Sequence, residues 1–356
     1  MTVTQTPGDH GKPTEGFIGL KTSLEPDQLD LGTAQTPVDR FFVCSAGASA
    51  AVDTDEWRLT IDGDAVAAPV TLGLDDLRDL EPVELDAWIE CAGNGRRLYE
   101  LIGGHERSTH ATDTQWTLGA MGQARWGGVR LRDVLALADL ADDIAYVGPT
   151  GLDVDNEDGE PVRMCLPVDK AMHPDTLVVL TMNGEPLTRA HGAPARLLVP
   201  GWVGAYSVKW LGTLTCSAAW LPSWRADVYY RRREPDGTDL GPATTHPVKS
   251  SLALDWDAEL PAGRTTVQGY ARCSSATIES VEWSLDDGPW QPAEMVGEGD
   301  PWQWRPFRFS VELEPGSHVL RTRAFAADGS SQPETMAYHP NTILWNAVTP
   351  HPVRAR

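Results

Sequence analysis

Cys91 follows Ala87, Trp88, Ile89 and Glu90, a run that reads as a short strand ending at the thiol, and Gly93, Asn94, Gly95, Arg96 and Arg97 come soon after it. Glycine and asparagine tolerate positive φ, so this backbone can turn sharply and present its amides to a ligand. The two arginines add planar, permanently charged donors. A guanidinium near a thiol favours thiolate, the form that binds soft metals or attacks electrophiles. The stretch is therefore an address for a metal or an anion. The same residues also fit a small buried cysteine ahead of a glycine turn, so the choice rests on what accompanies them.

What accompanies them is a set of segments in a familiar order. WIECAGNGRR (88–97) resembles the molybdenum-cysteine signature of the sulfite oxidase family, GAMGQARWGGVRLRDVL (119–135) resembles the stretch after that loop, and HGAPARLLVPGWVGAYSVKWL (191–211) resembles the family's cofactor-cradling segment. Such segments span most of residues 35 to 350. The resemblance implies a molybdenum–molybdopterin cofactor with Cys91 as the metal's single protein ligand, because a pterin dithiolene supplies the remaining soft donors. It implies cofactor-binding roles for Asn94, Asp153, His191, Arg196, Ser207, Val208 and Lys209. Arg196 and Lys209 can neutralise the pterin phosphate and His191 can donate to it, although a lone histidine would otherwise read as a satisfied core residue. On the substrate side the resemblance implies Arg96 and Tyr229, with Tyr230 as the alternative in SWRADVYY. Trp126, Trp202 and Trp210 read as packing.

The chain also departs from the family pattern. After Phe41-Phe42-Val43 the family continues Arg-Asn-His, where this sequence has Cys44, Ser45 and Ala46. The family's GAR is GAY here, with Tyr206. A C-terminal Asn-x-x-His-Arg pattern is replaced by Asn346 to Pro350. Up to three pocket cations are thereby expected to be missing, each worth about 1.5–3 kcal/mol as a charge-assisted hydrogen bond.

A chain of 356 residues is long enough for two or three domains. Its formal net charge of -22 repels phosphate and argues against nucleic acid or an anionic membrane as partner. The five cysteines are scattered without a CxxC pair, which suits a reducing compartment better than a disulfide framework. The N-terminal stretch has neither an apolar h-region nor paired arginines, so a cytoplasmic location is expected. No run is long enough for a transmembrane helix.

The elements that must position these residues can be read in order. Residues 1 to 20 are expected to be mobile. Trp57 to Ile61 and Val66 to Leu72 flank the hairpin turn Asp62-Gly63-Asp64, Leu74 to Leu80 is a short amphipathic helix, and Val83 to Cys91 is a strand. Val129 to Leu140 has apolar residues at helical spacing, Ile144 to Gly148 is a strand, and Leu152 to Gly159 reads as a solvated acidic loop. Asp169 to Met172 is helical, Thr176 to Met182 is a strand closed by Asn183-Gly184, and Ala195 to Val199 is another strand. From His246 the period becomes two, in strands at 265–272, 280–285, 307–313 and 319–325, which suggests an immunoglobulin-like sandwich. The predicted architecture is an α+β molybdenum-cofactor domain of sulfite-oxidase type over 21–245, followed by an all-β immunoglobulin-like domain over 246–356. The resemblance implies a homodimer through the second domain, and Trp290 to Trp304 could leave apolar area for it.

The expected activity is oxygen-atom transfer on a small substrate, sulfite or another oxo compound. S-oxide or N-oxide reduction and a cofactor-binding protein without turnover are the alternatives. No haem, iron–sulfur or nucleotide fingerprint is visible, so a separate electron acceptor or donor is expected, with no nucleic acid or membrane partner.

Overall fold

The computed structural model describes residues 35–47, 50–105, 114–155, 158–234 and 236–356. The segment 1–20, expected to be mobile, lies outside the described residues.

The first half builds two sheets. The chain forms β1 (Leu59–Asp62), β2 (Val70–Leu72), α1 (Leu74–Arg78), β3 (Pro82–Glu90), α2 (Arg96–Leu101), β4 (Met121–Arg130), α3 (Leu131–Leu135), β5 (Tyr146–Val154), β6 (Pro161–Arg163), β7 (Leu166–Pro167), α4 (Val168–Ala171), β8 (Leu177–Met182), β9 (Glu185–Pro186), β10 (Arg196–Leu198) and β11 (Leu211–Ser217). One sheet runs β2-β1-β11-β5-β6 with β7 also on β5, and the other runs β10-β8-β4-β3 with β9 on β8. The predicted β1–β2 pairing forms, with Leu59 opposite Leu72. At Asn183-Gly184 both residues have positive φ, as a tight hairpin turn requires, and Met182 pairs with Glu185.

Two expectations fail locally. Only Leu131–Leu135 is helical in the predicted helix 129–140. Val129 and Arg130 instead pair with Val178 and Leu177, and Leu140 bridges to Val66; sheet hydrogen bonds outweigh a short apolar period. The acidic loop predicted from Leu152 is strand through Val154, and Asp155 is buried at 2% exposure rather than solvated.

Two short strands, β12 (Arg231–Arg233) and β13 (Asp239–Pro242), lead into the second half. There β14 (Lys249–Leu252), β15 (Ala258–Leu260), β16 (Gly263–Arg272), β17 (Ile278–Leu285), β18 (Gln291–Pro292), β19 (Glu294–Met295), β20 (Arg305–Leu313), β21 (Gly316–Ala326) and β22 (His351–Ala355) follow. They form the sheets β14-β16-β20-β19 and β15-β22-β21-β17-β18. Alternating residues of both sheets share one core, in which Trp283 of one stacks on Phe309 of the other at 4.5 Å. This is a β-sandwich.

The halves are stitched together. Trp302 Nε1 donates to Asp175 at 2.8 Å, Lys170 Nζ lies 5.1 Å from the Trp302 ring, and the Trp304 amide donates to Gln123 Oε1 at 2.8 Å. The Trp290 to Trp304 stretch therefore spends its second and third tryptophans within the chain. The C-terminal segment also returns: Ile343 joins the core of the first half, and the Leu344 amide donates to Ala92 O at 2.7 Å. Among the described residues no helix is long and apolar enough to cross a membrane.

Candidate active site

Strand β3 pairs with β4 along its whole length, Pro82 opposite Val129 and Glu90 opposite Met121, and this rigid ladder delivers Cys91. The Cys91 amide donates to Ala120 O at 3.0 Å, and the chain then turns, with Asn94 N donating to Cys91 O at 2.9 Å. Gly95 closes the turn at φ 90°. A Cβ on Gly93 would stand 2.7 Å from the Arg96 guanidinium. The glycine there lets that guanidinium fold back beneath the loop.

Arg96 is 3% exposed. Its Nε donates to Thr342 Oγ1 at 3.1 Å, Nη1 to Thr114 O at 3.1 Å and Nη2 to the Tyr229 hydroxyl at 2.7 Å. Tyr229 ends a π-helical turn, Arg225–Tyr229, and is held by Asn341 Nδ2, which donates to its carbonyl at 2.6 Å. The predicted pair is thus assembled, and Tyr230 packs edge-on against Tyr229 at 4.8 Å.

These groups border one cleft whose lining also includes Cys44, His191, Arg196, Ser207, Val208 and Lys209. At its second end Arg196 Nη1 and Nη2 donate to His191 O at 3.1 Å and Ser207 O at 3.0 Å. Lys209 Nζ donates to Ser45 Oγ at 2.6 Å and Ala190 O at 3.1 Å. His191 Nε2 bonds Val38 O at 3.1 Å. Ser207 Oγ accepts from the Val199 amide at 3.0 Å, and Val208 O accepts from the Leu197 amide at 2.8 Å.

The electrostatics are those of a cradle for an anion. Burial lowers Arg196 to about 9. Burial, then the neighbouring Arg196 charge, pulls Lys209 well below the usual lysine range. Burial, with Arg196 and Lys209 adding to it, takes His191 down to about 3. Arg196 Nε is buried without a hydrogen-bond partner, a costly condition that a polar ligand in the cleft relieves. A phosphate-bearing pterin fits this donor set, and Cys91 at the other end fits a soft metal.

Not every predicted residue faces the cleft. Asn94 Nδ2 donates to Glu90 Oε1 at 2.9 Å and its Oδ1 accepts from Ala120 N at 3.1 Å, so this side chain braces the Cys91 loop and does not line the cleft. Asp153 is buried but lies outside the lining residues. Burial raises its carboxyl above the usual range, with Lys209 opposing the rise.

The expectation of up to three missing cations reduces to one position. Cys44 lines the cleft, whereas Tyr206 and 346–350 do not. Tyr206 is buried and packs edge-on against Trp202 at 4.7 Å. Against that loss stands a cation not assigned from sequence. Arg225 lines the cleft against the rings of both Trp224 and Tyr229, 5.1 and 5.0 Å away, and grips Asp155 with two bonds, Nη2 to Oδ1 being 2.7 Å. Its place inside SWRADVYY beside Tyr229 was the available signal. Nothing in the sequence revealed that the Cys44 and Cys91 sulfurs would lie 3.9 Å apart.

Residues 46–224 match the family described as oxidoreductase molybdopterin binding domain. The chain is 33% identical over 346 residues to the mitochondrial sulfite oxidase of Macaca fascicularis, covering 90% of this chain and 60% of that protein. It is 33% identical over 332 residues to the sulfite oxidase of Gallus gallus, covering 87% and 70%. The chain thus spans about 60% of the length of its mammalian relatives. Its fold is similar to that of the sulfane dehydrogenase SoxCD from Paracoccus pantotrophus, with a TM-score of 0.80, 24% identity, and 98% and 92% of the two chains covered.

Proposed function

The chain belongs to the sulfite oxidase family of molybdopterin-dependent oxidoreductases, and from that premise we propose that it transfers an oxygen atom to or from a small sulfur-containing or other oxo substrate. One observation carries the reading: Cys91, the Arg96–Tyr229 pair and the Arg196–Lys209–His191 cradle all border a single cleft. When bound there, the molybdenum–pterin group supplies the two-electron chemistry of oxygen transfer.

The rest falls to the residues of the chain. Cys91 holds the metal, and Arg196, Lys209 and His191 hold the phosphate. Arg96 orients an anionic substrate oxygen while the Tyr229 hydroxyl, already accepting from Arg96, has its proton available for donation to that oxygen. Phe41, Phe42 and Met164 exclude water from one wall. Oxidation of sulfite to sulfate takes one oxygen from water and releases two protons and two electrons, and a separate protein or small carrier receives those electrons.

A second reading, reduction of a neutral S-oxide or N-oxide, is favoured by Cys44. A thiol there binds a dianion less well than the guanidinium the family pattern has at that place.

The second half is read as an immunoglobulin-like domain, supported by its two facing antiparallel-rich sheets, and self-association through 246–356 belongs to the same reading. Light scattering that gives a monomer at micromolar concentration would reject the dimer. A cytoplasmic setting is proposed with it, since Cys44 and Cys91 must stay thiols to serve a soft metal.

Metal analysis of protein made in a host that assembles the cofactor tests the proposal. About one molybdenum per chain is expected, lost in Cys91→Ala, with turnover of sulfite or of an S-oxide using an artificial one-electron carrier. Full molybdenum occupancy in Cys91→Ala rejects it.

A further inference from the structure

Cys44 stands where the family pattern has an arginine, and the fold does not leave it to chance. The preceding residues are anchored: Phe41 stacks on Phe42 at 5.4 Å and meets Trp126 and His191 edge-on at 5.6 and 5.7 Å. Phe42 meets Trp116 edge-on at 6.1 Å. The next residue is fixed as well, because Ser45 Oγ accepts from Lys209 Nζ at 2.6 Å. Between these two anchors the Cys44 side chain borders the cleft, as Cys91 does.

The sulfur–sulfur distance of 3.9 Å discriminates between arrangements. A disulfide requires about 2.05 Å. Two thiolates on one tetrahedral Zn2+, each about 2.3 Å from it, lie about 3.8 Å apart. The two thiols in contact are therefore within the reach of a single metal ion without a large movement of either backbone segment. Lys209 and Arg96 line the same cleft as the pair, and positive charge there suits the thiolate forms that a soft metal takes.

We infer that Cys44 is a second protein thiolate for the metal held by Cys91, so that the cleft offers a soft metal two sulfur donors from two distant segments of the chain. This rests on the metal-binding reading above. It changes that reading in one respect: a charged clamp for the substrate has become a donor that competes with substrate for the metal.

Two measurements test it. In the holoenzyme, X-ray absorption at the molybdenum edge counts sulfur neighbours. Cys44→Ser is expected to keep its molybdenum and lose one sulfur per metal, and an unchanged count overturns the inference. In metal-free protein, titration with Cd2+ reads thiolate charge-transfer absorption. One Cd2+ per chain is expected, with the signal halved in Cys44→Ser, halved in Cys91→Ser and absent in the double variant. A signal that Cys44→Ser leaves intact overturns the inference, as does a metal-free chain whose mass shows the two thiols joined with loss of two hydrogens under a reducing buffer. If the cadmium signal halves as expected while wild-type protein carries no molybdenum, the thiol pair stands and the molybdenum reading falls.

Discussion

Arg96 Nη2 donates to the Tyr229 hydroxyl at 2.7 Å across 133 positions of sequence. The contact joins the Cys91 loop to a π-helical turn from a separate part of the chain, and together with the bonds to Thr342 and Thr114 it fixes the orientation of the guanidinium at the cleft. Removing the charge should therefore weaken binding of an anionic substrate without uncoupling the metal. Arg96→Met is expected to raise KM for sulfite about ten- to hundredfold, as the loss of a charge-assisted bond of about 1.5–3 kcal/mol requires. KM for a neutral S-oxide should change far less. Steady-state kinetics with both substrates decide it, and equal effects on the two would show that Arg96 acts only through the fold.

The cradle makes a different prediction. Arg196 and Lys209 are buried cations whose charged forms are disfavoured until an anion arrives. Arg196→Met and Lys209→Met should therefore cost cofactor affinity and leave the folded protein at least as stable as before. Molybdenum content after extended dialysis is expected to fall several-fold in each variant, with an unchanged or raised unfolding midpoint in metal-free protein. A lowered midpoint with full metal retention would make them structural cations.

Much of this site was legible because its signals are local. Cys91, Arg96, Arg196 and Lys209 lie in contiguous strings whose backbone shape is set by nearby glycines, and the structure brings them to one cleft. Long-range partners carry no such mark. Nothing near Asp155 announces that it will be buried by Arg225, and nothing near Cys44 announces Cys91. The helix expected over 129–140 fails for the same reason, since the pairing of Val129 with Val178 is invisible to a period counted along one segment. Strand β22 was missed because its pairing with β21 and, in parallel, with β15 is also non-local.

Glu90, next to Cys91, is 1% exposed and is bonded by Arg272 and by Lys249 Nζ at 3.2 Å, both from the second half. Burial alone would raise its carboxyl, but Arg272, Lys249 and His246 outweigh that and hold it well below the usual carboxylate range. Arg272→Met leaves a buried carboxylate under-compensated and is expected to destabilise the protein by about 3–5 kcal/mol. The exposed pair Arg308–Glu294, at 2.6 Å, provides the control: Arg308→Met should cost far less than Arg272→Met, because solvent screens an exposed pair. Guanidinium unfolding of both variants compares them, and similar losses would show that the interdomain ion cluster contributes no more than a surface pair.

His246 makes stability depend on pH between 6.5 and 4.5, a window it shares with the buried Asp153 carboxyl, raised to about 6 and acting with the opposite sign. Its Nε2–H donates to Glu90 O at 3.1 Å, and the ring packs edge-on against Trp88 at 5.5 Å. Its Nδ1 is buried without a partner, so a proton added there would find no acceptor. Burial, with Arg272 and Lys249 adding to it and Glu90 opposing, takes the imidazole from 6.5 down to about 3. Because the folded-state value is depressed, the unfolded chain takes up the proton first. The contribution of neutral His246 is therefore complete above pH 6.5 and is lost progressively as pH falls toward 3. His191, also lowered to about 3, acts in the same direction. Between pH 6.5 and 4.5, the ordinary value of a glutamate, each such histidine should remove up to about 1.4 kcal/mol per pH unit. Asp153 opposes the histidines over that range, so the comparison with wild type isolates the effect: in metal-free protein, His246→Gln should change the slope of denaturation free energy against pH by roughly one histidine's share whatever it does to the absolute stability. A variant with the wild-type slope would mean that His246 is protonated in the folded state, and that Glu90 faces three cations instead of two.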